Sequence, residues 1–305
     1  DIVTGQKNIL ISNNNISEKL AYAPNATLTG YWLIARETIG NQYLAWEVNT
    51  TGISAAPVTS TAGTPASNGA GYLKFNLDYN KLANAFVFGT VDVMNFNRST
   101  GTITSNLSLP VPIGSSVYGV EFSPSGQYLY VSNLLNGIFQ FDLNATNVAA
   151  SQLTVASAFG AALQLGPDCK IYIADGGLSE ISNPDLPVPL CGYAANTVGL
   201  AGGGSSYGLP MKVIYLDVFT PEITASTNTP CTGNSVQFNL TGLNITQIIR
   251  WNFGDPSAGN LNVINATPNT PVSFTYNQPG QYIVQAIYNF DCITDTVFDT
   301  INVAN

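Results

Sequence analysis

Three stretches of this 305-residue chain repeat one plan at nearly even spacing: LKFNLDYNKLANAF from Leu73, VEFSPSGQYLYVSN from Val120 and LQLGPDCKIYIAD from Leu163. Each reads as an apolar-x-apolar strand, a short polar turn and a second alternating strand. The turns are Asn76-Leu77-Asp78-Tyr79-Asn80, Ser123-Pro124-Ser125-Gly126 and Gly166-Pro167-Asp168-Cys169. Pro presets the second position of such a turn, while Asn, Asp, Ser and Gly supply side-chain hydrogen bonds or a positive φ. Phe75 and Phe122 are 47 residues apart, and Phe122 and Leu165 are 43 apart. That step matches a four-stranded propeller blade of about 40 to 50 residues.

A third element follows each hairpin, in VDVMNFNRSTG (91–101), GIFQFDLNATN (137–147) and the shorter LSEISNPDLP (178–187). Each is read as the outer strand of its blade, ending in an Asn-rich turn. YWLIAR (31–36) and YLAWEVNTTG (43–52) fit an earlier unit, so about four blades are predicted between residues 10 and 215. The opening DIVTGQKNILISNN reads as the tail of an earlier blade, so either the wheel is small or further blades precede residue 1. The first domain is therefore placed at 1–217, a β-propeller.

The repeat vocabulary stops after SSYGLPMKVIYLDVF, and Pro221 opens a fresh run of short alternating strands: CTGNSVQFNLTGL, IIRWNFGDPSAGN, TPVSFTYNQPGQYIVQAIYNFDC and TVFDTINVAN. Strands this short, separated by turn residues, predict a β-sandwich over 218–305. The fold class expected for the whole chain is all-β.

Composition limits the chemistry. Charged residues make up only 9% of the chain, against about 25% in an ordinary soluble domain, so Asn, Ser, Thr, Gly and Gln must cover the surface. Such a surface suits the outside of a cell. A net charge of -9 repels a phosphate backbone and argues against nucleic acid as a partner. The absence of histidine excludes a Ser-His-Asp triad, a histidine general base and His-ligated zinc. No apolar run reaches the length of about 20 residues that spans a bilayer. Cys169 and Cys191 lie 22 residues apart and Cys231 and Cys292 lie 61 apart, with no CxxC pair. This predicts two local disulfides formed in an oxidising compartment; the alternative is four buried thiols.

The phrases ISEKLAYAPN (16–25), YWLIAR, GYLKFNLDYNKLANA (71–85), YGVEFSPSGQYLYVSN (118–133), ALQLGPDCKIYIAD (162–175), ISNPDLP with Cys191-Gly192-Tyr193, and SSYGLP (205–210) resemble the propeller-containing, gliding-motility-associated surface proteins of Bacteroidetes exported by type IX secretion. Leu77 and Tyr79 depart from that pattern, which has Pro and Gly there. In the second domain, Trp251-Asn252-Phe253-Gly254-Asp255, Phe274-Thr275-Tyr276 and Pro279-Gly280-Gln281-Tyr282 resemble the PKD module, an immunoglobulin-like repeat of secreted bacterial proteins. The resemblance implies O-linked sugars at Asp-Ser/Thr-apolar triplets, here Thr296 and Thr300.

Several residue groups invite a chemical role. Asp255 reads as a turn-stabilising carboxylate rather than a ligand to calcium. Trp32, Trp46 and Trp251 read as core rather than sugar platforms. The glycine-rich 199–210 segment lacks GxxxxGK[ST] and reads as a connection. Asp78, Asp142, Asp168 and Asp175 sit where carboxylates could gather round a channel and hold calcium, although each also reads as a local cap. The resulting expectation is a non-enzymatic extracellular or cell-surface protein without a cofactor. It would act in adhesion or as a structural module, with glycans or other surface proteins as partners. The alternatives are a carbohydrate-binding or processing propeller, and a subunit of an extracellular filament or sheath.

Overall fold

The computed structural model describes residues 10–66, 69–87, 90–110, 116–210, 221–241, 248–267, 270–290 and 292–305. The chain divides into two compact units, Asp1–Leu216 and Asp217–Asn305. The boundary expected near 218, and the opening tail up to residue 9, lie outside the described residues.

The first unit is propeller-like, built of antiparallel sheets that each begin at an inner strand. The first sheet runs β1 (Ile16–Pro24), β2 (Gly30–Glu37), β3 (Gly40–Asn49) and β4 (Gly52–Ile53), with β5 (Val58–Ala66) also on β3. The second runs β6 (Leu73–Phe75), β7 (Lys81–Ala85), β8 (Thr90–Phe96) and β9 (Ile103–Pro110). The third runs β10 (Val117–Phe122), β11 (Tyr128–Asn133), β12 (Gly137–Asp142) and β13 (Leu153–Ala156). The fourth runs β14 (Leu163–Leu165), β15 (Ile171–Ala174), β16 (Leu178–Ile181) and β17 (Tyr193–Ala194). The three repeated hairpins are β6–β7, β10–β11 and β14–β15. The elements read as outer strands, β8, β12 and β16, are instead third strands: β9, β13 and β17 lie outside them.

The sheets stack face to face, which explains their composition. Ala21, Ala23, Trp32 and Ile34 of the first sheet pack on Leu82, Met94 and Phe96 of the second. Val91 and Val93 of the second pack on Val120, Phe122 and Phe141 of the third. A sheet covered on both faces loses the apolar-polar alternation, and β11 is accordingly buried at every position.

One turn closes the inner hairpin of all four sheets. The N–H of Leu28, Tyr79, Gly126 and Cys169 donates to the carbonyl three residues earlier, at Asn25, Asn76, Ser123 and Gly166 respectively. The donor residue is left-handed each time, with φ of 57°, 55°, 72° and 67°. Tyr79 thus adopts the backbone for which glycine is the unstrained choice. Its ring lies 6.1 Å from Phe75, and the Arg98 guanidinium lies 5.9 Å from its centre.

The second unit has two sheets around one core. One is β18 (Glu222–Ala225), β19 (Ser235–Thr241) and β22 (Val272–Thr275). The other runs β21 (Val263–Ala266), β20 (Ile249–Asn252), β23 (Gly280–Phe290) and β24 (Ile293–Val303). Phe253 stacks on Phe274 at 4.4 Å, and the Tyr276 hydroxyl donates to the Phe253 carbonyl at 3.0 Å.

The cysteines differ from expectation. Cys191, buried, and Cys231, exposed, are free thiols, whereas Cys169 and Cys292 are disulfide-bonded. Neither expected local pair forms, and strand geometry gives the reason. Cys169 leads into β15, whereas Cys191 lies across the extension of β16, its carbonyl accepting from Asn183 at 2.9 Å. One strand therefore intervenes, and two strand spacings, about 9.6 Å, exceed the reach of a disulfide. Cys292 sits in the β23–β24 hairpin, while Cys231 bridges Ala304 at the far end of β24. Eleven strand residues, about 36 Å of chain, separate the two ends.

Candidate functional site

The inner strands of all four sheets border one cavity of about 410 Å³. It runs along β6 from Gly71 to the turn at Tyr79, and faces Glu18–Tyr22 of β1, Tyr118, Glu121 and Phe122 of β10, and Gln164 and Leu165 of β14.

Its polar centre comes from one position of the repeat. In Leu73-Lys74-Phe75, Val120-Glu121-Phe122 and Leu163-Gln164-Leu165, the middle residue precedes the shared turn by the same interval. Strand alternation sends these three side chains to one face of each inner strand, and they meet. Lys74 Nζ donates to Gln164 Oε1 at 2.5 Å and lies 3.4 Å from Glu121 Oε2. Glu121 Oε1 accepts from Phe122 N at 3.1 Å and Oε2 from Leu165 N at 3.0 Å, while Gln164 Nε2 donates to the Leu165 carbonyl at 3.1 Å. Ala23 holds the equivalent place in the first sheet, so the polar set has three members.

One end of the cavity is aromatic. Tyr72 and Tyr118 pack edge to face at 5.5 Å, and Tyr118 meets Tyr207 at 5.8 Å. Burial pushes the Tyr118 hydroxyl up to about 12, with the nearby Glu18 carboxylate adding to the shift. Glu18 itself is exposed, and its Oε1 accepts from Gly71 N at 3.1 Å.

At the base of β1, Lys19 is 2% exposed. Its ammonium donates to Asn84 Oδ1 at 3.0 Å and to the Ala85 carbonyl, and lies 4.4 Å from the centre of the Phe86 ring. Burial, and next the Arg36 charge, bring its pKa down to about 7.

None of Asp78, Asp142, Asp168 and Asp175 lines this cavity. Asp142 accepts from Asn144 N at 2.9 Å, Asp168 from the Tyr172 hydroxyl at 2.8 Å, and Asp175 from Gly177 N at 3.2 Å. Among the described residues no group of three or more acids and cysteines is placed to hold a metal. Asp255 caps its turn, accepting from Ser257 N at 3.0 Å and Ser257 Oγ at 2.5 Å. Trp32, Trp46 and Trp251 are buried, and the last two bury Nε1 without a hydrogen-bond partner, so packing holds them. The glycine-rich segment is a connection stitched to the β15–β16 turn, where Ser205 Oγ accepts from Asp175 N at 3.1 Å. Thr296 and Thr300 are half-buried on β24, their N–H groups each donating to the preceding aspartate at 2.7 Å. Sequence reasoning passed over Lys74, Glu121, Gln164, Tyr72 and Tyr118; the polar residue inside each apolar-x-apolar triplet was the signal that identifies the first three.

No known protein family and no curated protein matches the sequence. Several solved structures are similar to the chain at low identity. The propeller domain of Cps50 (Swd1) from Myceliophthora thermophila is 12% identical, with a TM-score of 0.44 over 95% of this chain and 87% of that one. A chain of the COPII outer coat vertex is 12% identical, with a TM-score of 0.46 over 90% and 73%. A Bacteroides fragilis protein named for, but not proven to have, 6-phosphogluconolactonase activity is 16% identical, with a TM-score of 0.40 over 54% of this chain and 49% of that one, about half its length. No helix among the described residues is long and apolar enough to cross a membrane.

Proposed function

We propose that this chain is a non-enzymatic extracellular or cell-surface protein acting in adhesion or as a structural module of a larger surface assembly. In this reading the first unit contacts glycans or other surface proteins, and the second, a PKD-like sandwich, is a spacer. The observation that carries it is how the cavity's polar groups are engaged. Both oxygens of Glu121 accept backbone N–H groups, and one of them also pairs with Lys74. A carboxylate held this way is a fixed recognition element and a poor proton shuttle. The tyrosines at the cavity's end supply the amphipathic surface that binding sites favour. A chain in which only 9% of the residues are charged and the resemblance to Bacteroidetes gliding-motility proteins exported by type IX secretion support the extracellular placement. Thr296 and Thr300 are the residues on which O-linked sugars would be sought.

Protease treatment of intact source cells tests the placement. The reading expects the chain to be cleaved while a cytosolic marker survives; protection of the chain alongside that marker, until lysis, would overturn it.

A further inference from the structure

We propose that the cavity between the four inner strands binds an uncharged oligosaccharide. The inference rests on the surface-binding reading above and names the ligand class of its site. Charge comes first. The one ammonium at the polar centre, Lys74, is paired with Glu121 at 3.4 Å, so little positive potential is left to attract an anion. The second lining ammonium, Lys19, is buried and taken up by Asn84 and the Ala85 carbonyl, and Glu18, exposed on the same wall, offsets it, so the site has no net positive charge and uronates, sulfated sugars and phosphates are disfavoured. Glu18 faces water, which screens its pull on a cation.

Hydrogen bonding comes second. Lys74 has three N–H donors, of which Gln164 and Glu121 take two. Glu18 Oε1 holds the Gly71 amide, and since Glu18 is exposed its carboxylate stays within reach of a ligand. One donor and one carboxylate acceptor on facing walls suit a group that both donates and accepts, as vicinal hydroxyls do. The third element is apolar: Leu20, 48% exposed although it lies on an inner strand, stands with Tyr72 and Tyr118 along the same cavity. Aromatic and aliphatic walls of this kind pack against the C–H faces of a pyranose. The cavity, about 410 Å³, falls within the size range of small-ligand sites, about 300 to 1,000 Å³.

The test uses the full chain, titrated calorimetrically with cellotetraose, mannotetraose and chitotetraose, and with tetragalacturonate as the anionic control. At least one neutral tetrasaccharide is expected to bind, with Kd of about 10 µM to 1 mM, and tetragalacturonate at least about tenfold more weakly. Tyr118→Ala and Gln164→Ala are each expected to weaken binding about tenfold, equivalent to about 1.4 kcal/mol. Thermal unfolding and circular dichroism of both variants confirm that they are folded, and Thr296→Ala, a residue of the second unit that does not line the cavity, serves as a variant that keeps wild-type affinity. Binding of no neutral sugar overturns the proposal, as does equal or tighter binding of the uronate, or full affinity in folded Tyr118→Ala and Gln164→Ala. If the chain is at the cell surface and binds no sugar, this inference fails and the surface reading stands. If it is protected inside the cell, the surface reading fails whatever the calorimeter shows.

Discussion

Between its first two sheets the propeller-like unit buries Lys19, Arg36, Asn84 and Asp92, whereas the core of 217–305 contains a cluster of rings: Phe238, Trp251, Phe253, Phe274 and Tyr276. Three of these four polar groups serve the backbone, while Asn84 links Lys19 to the Tyr43 hydroxyl. Arg36 donates to the carbonyls of Glu37, Gly40 and Thr64, Lys19 to that of Ala85, and Asp92 accepts from Thr64 N at 2.7 Å. Where sheets splay from an axis, strand ends meet their neighbours instead of water, and their peptide groups need side-chain partners. Two sheets packed face to face leave few such ends buried, and side chains alone fill the gap. Apolar side chains fill both units; buried ions are added in one and an aromatic stack in the other.

The contrast makes graded predictions. Phe253→Ala removes the ring at the centre of the aromatic stack and should cost about 3 to 5 kcal/mol, read by urea unfolding with hydrogen exchange of peptides from 249–288. Gly119→Ala tests the tightness of the inner strands: its Cβ would lie 2.1 Å from the Ala161 carbonyl oxygen and 2.6 Å from Ser132 Oγ. A loss of about 1 to 3 kcal/mol is expected, again by urea unfolding, and a neutral effect would contradict the packing described.

Lys19 gives the ionic counterpart. Its folded-state pKa, about 7, lies below the model-peptide value of 10.5, so above about pH 7 the unfolded chain binds a proton that the folded chain does not. Stability should therefore rise with pH from about 7 to about 8.5, with a limiting slope of about 1.4 kcal/mol per pH unit. Over this range the buried tyrosines, whose hydroxyls are pushed up, stay protonated in both states. Lys19→Met should flatten that slope; an unchanged slope would show that Lys19 is charged when buried. The smallest effect is expected at the repeated turn. Tyr79→Gly relieves the left-handed backbone but loses the contact with Phe75, so a net change within about 1 kcal/mol is expected. Gly254→Ala should cost more, because φ is +73° there and the Cβ would lie 2.5 Å from the Ile283 carbonyl oxygen. Thermal unfolding compares the two.

Much of this architecture is legible in the residues. Apolar-x-apolar triplets before Asn/Ser/Gly turns mark β6, β10 and β14, because inner strands are buried and their turns need a left-handed residue. The fourth strands are not legible: VTSTAGTPA and ITSNLSLP are polar edge segments with no repeat of their own. The cysteine pairing failed because chain separation carries no information on which strand lies between two thiols. The site is half visible. Lys74, Glu121 and Gln164 share a repeat position, but their convergence follows from stacking the sheets, and Tyr118 and Tyr207 meet through a loop with no counterpart in the repeat.

In the proposed function, contact with the outside is made by the cavity of the first unit and not through Phe298 of the second, which is 60% exposed. The direct measurement is attachment of source cells to neutral polysaccharide surfaces when they carry Tyr118→Ala with Gln164→Ala, or Phe298→Ser, at equal surface amounts. The cavity variant is expected to lose attachment and the Phe298 variant to keep it; the reverse pattern, or attachment undiminished in the cavity variant, would overturn the proposed role of the cavity.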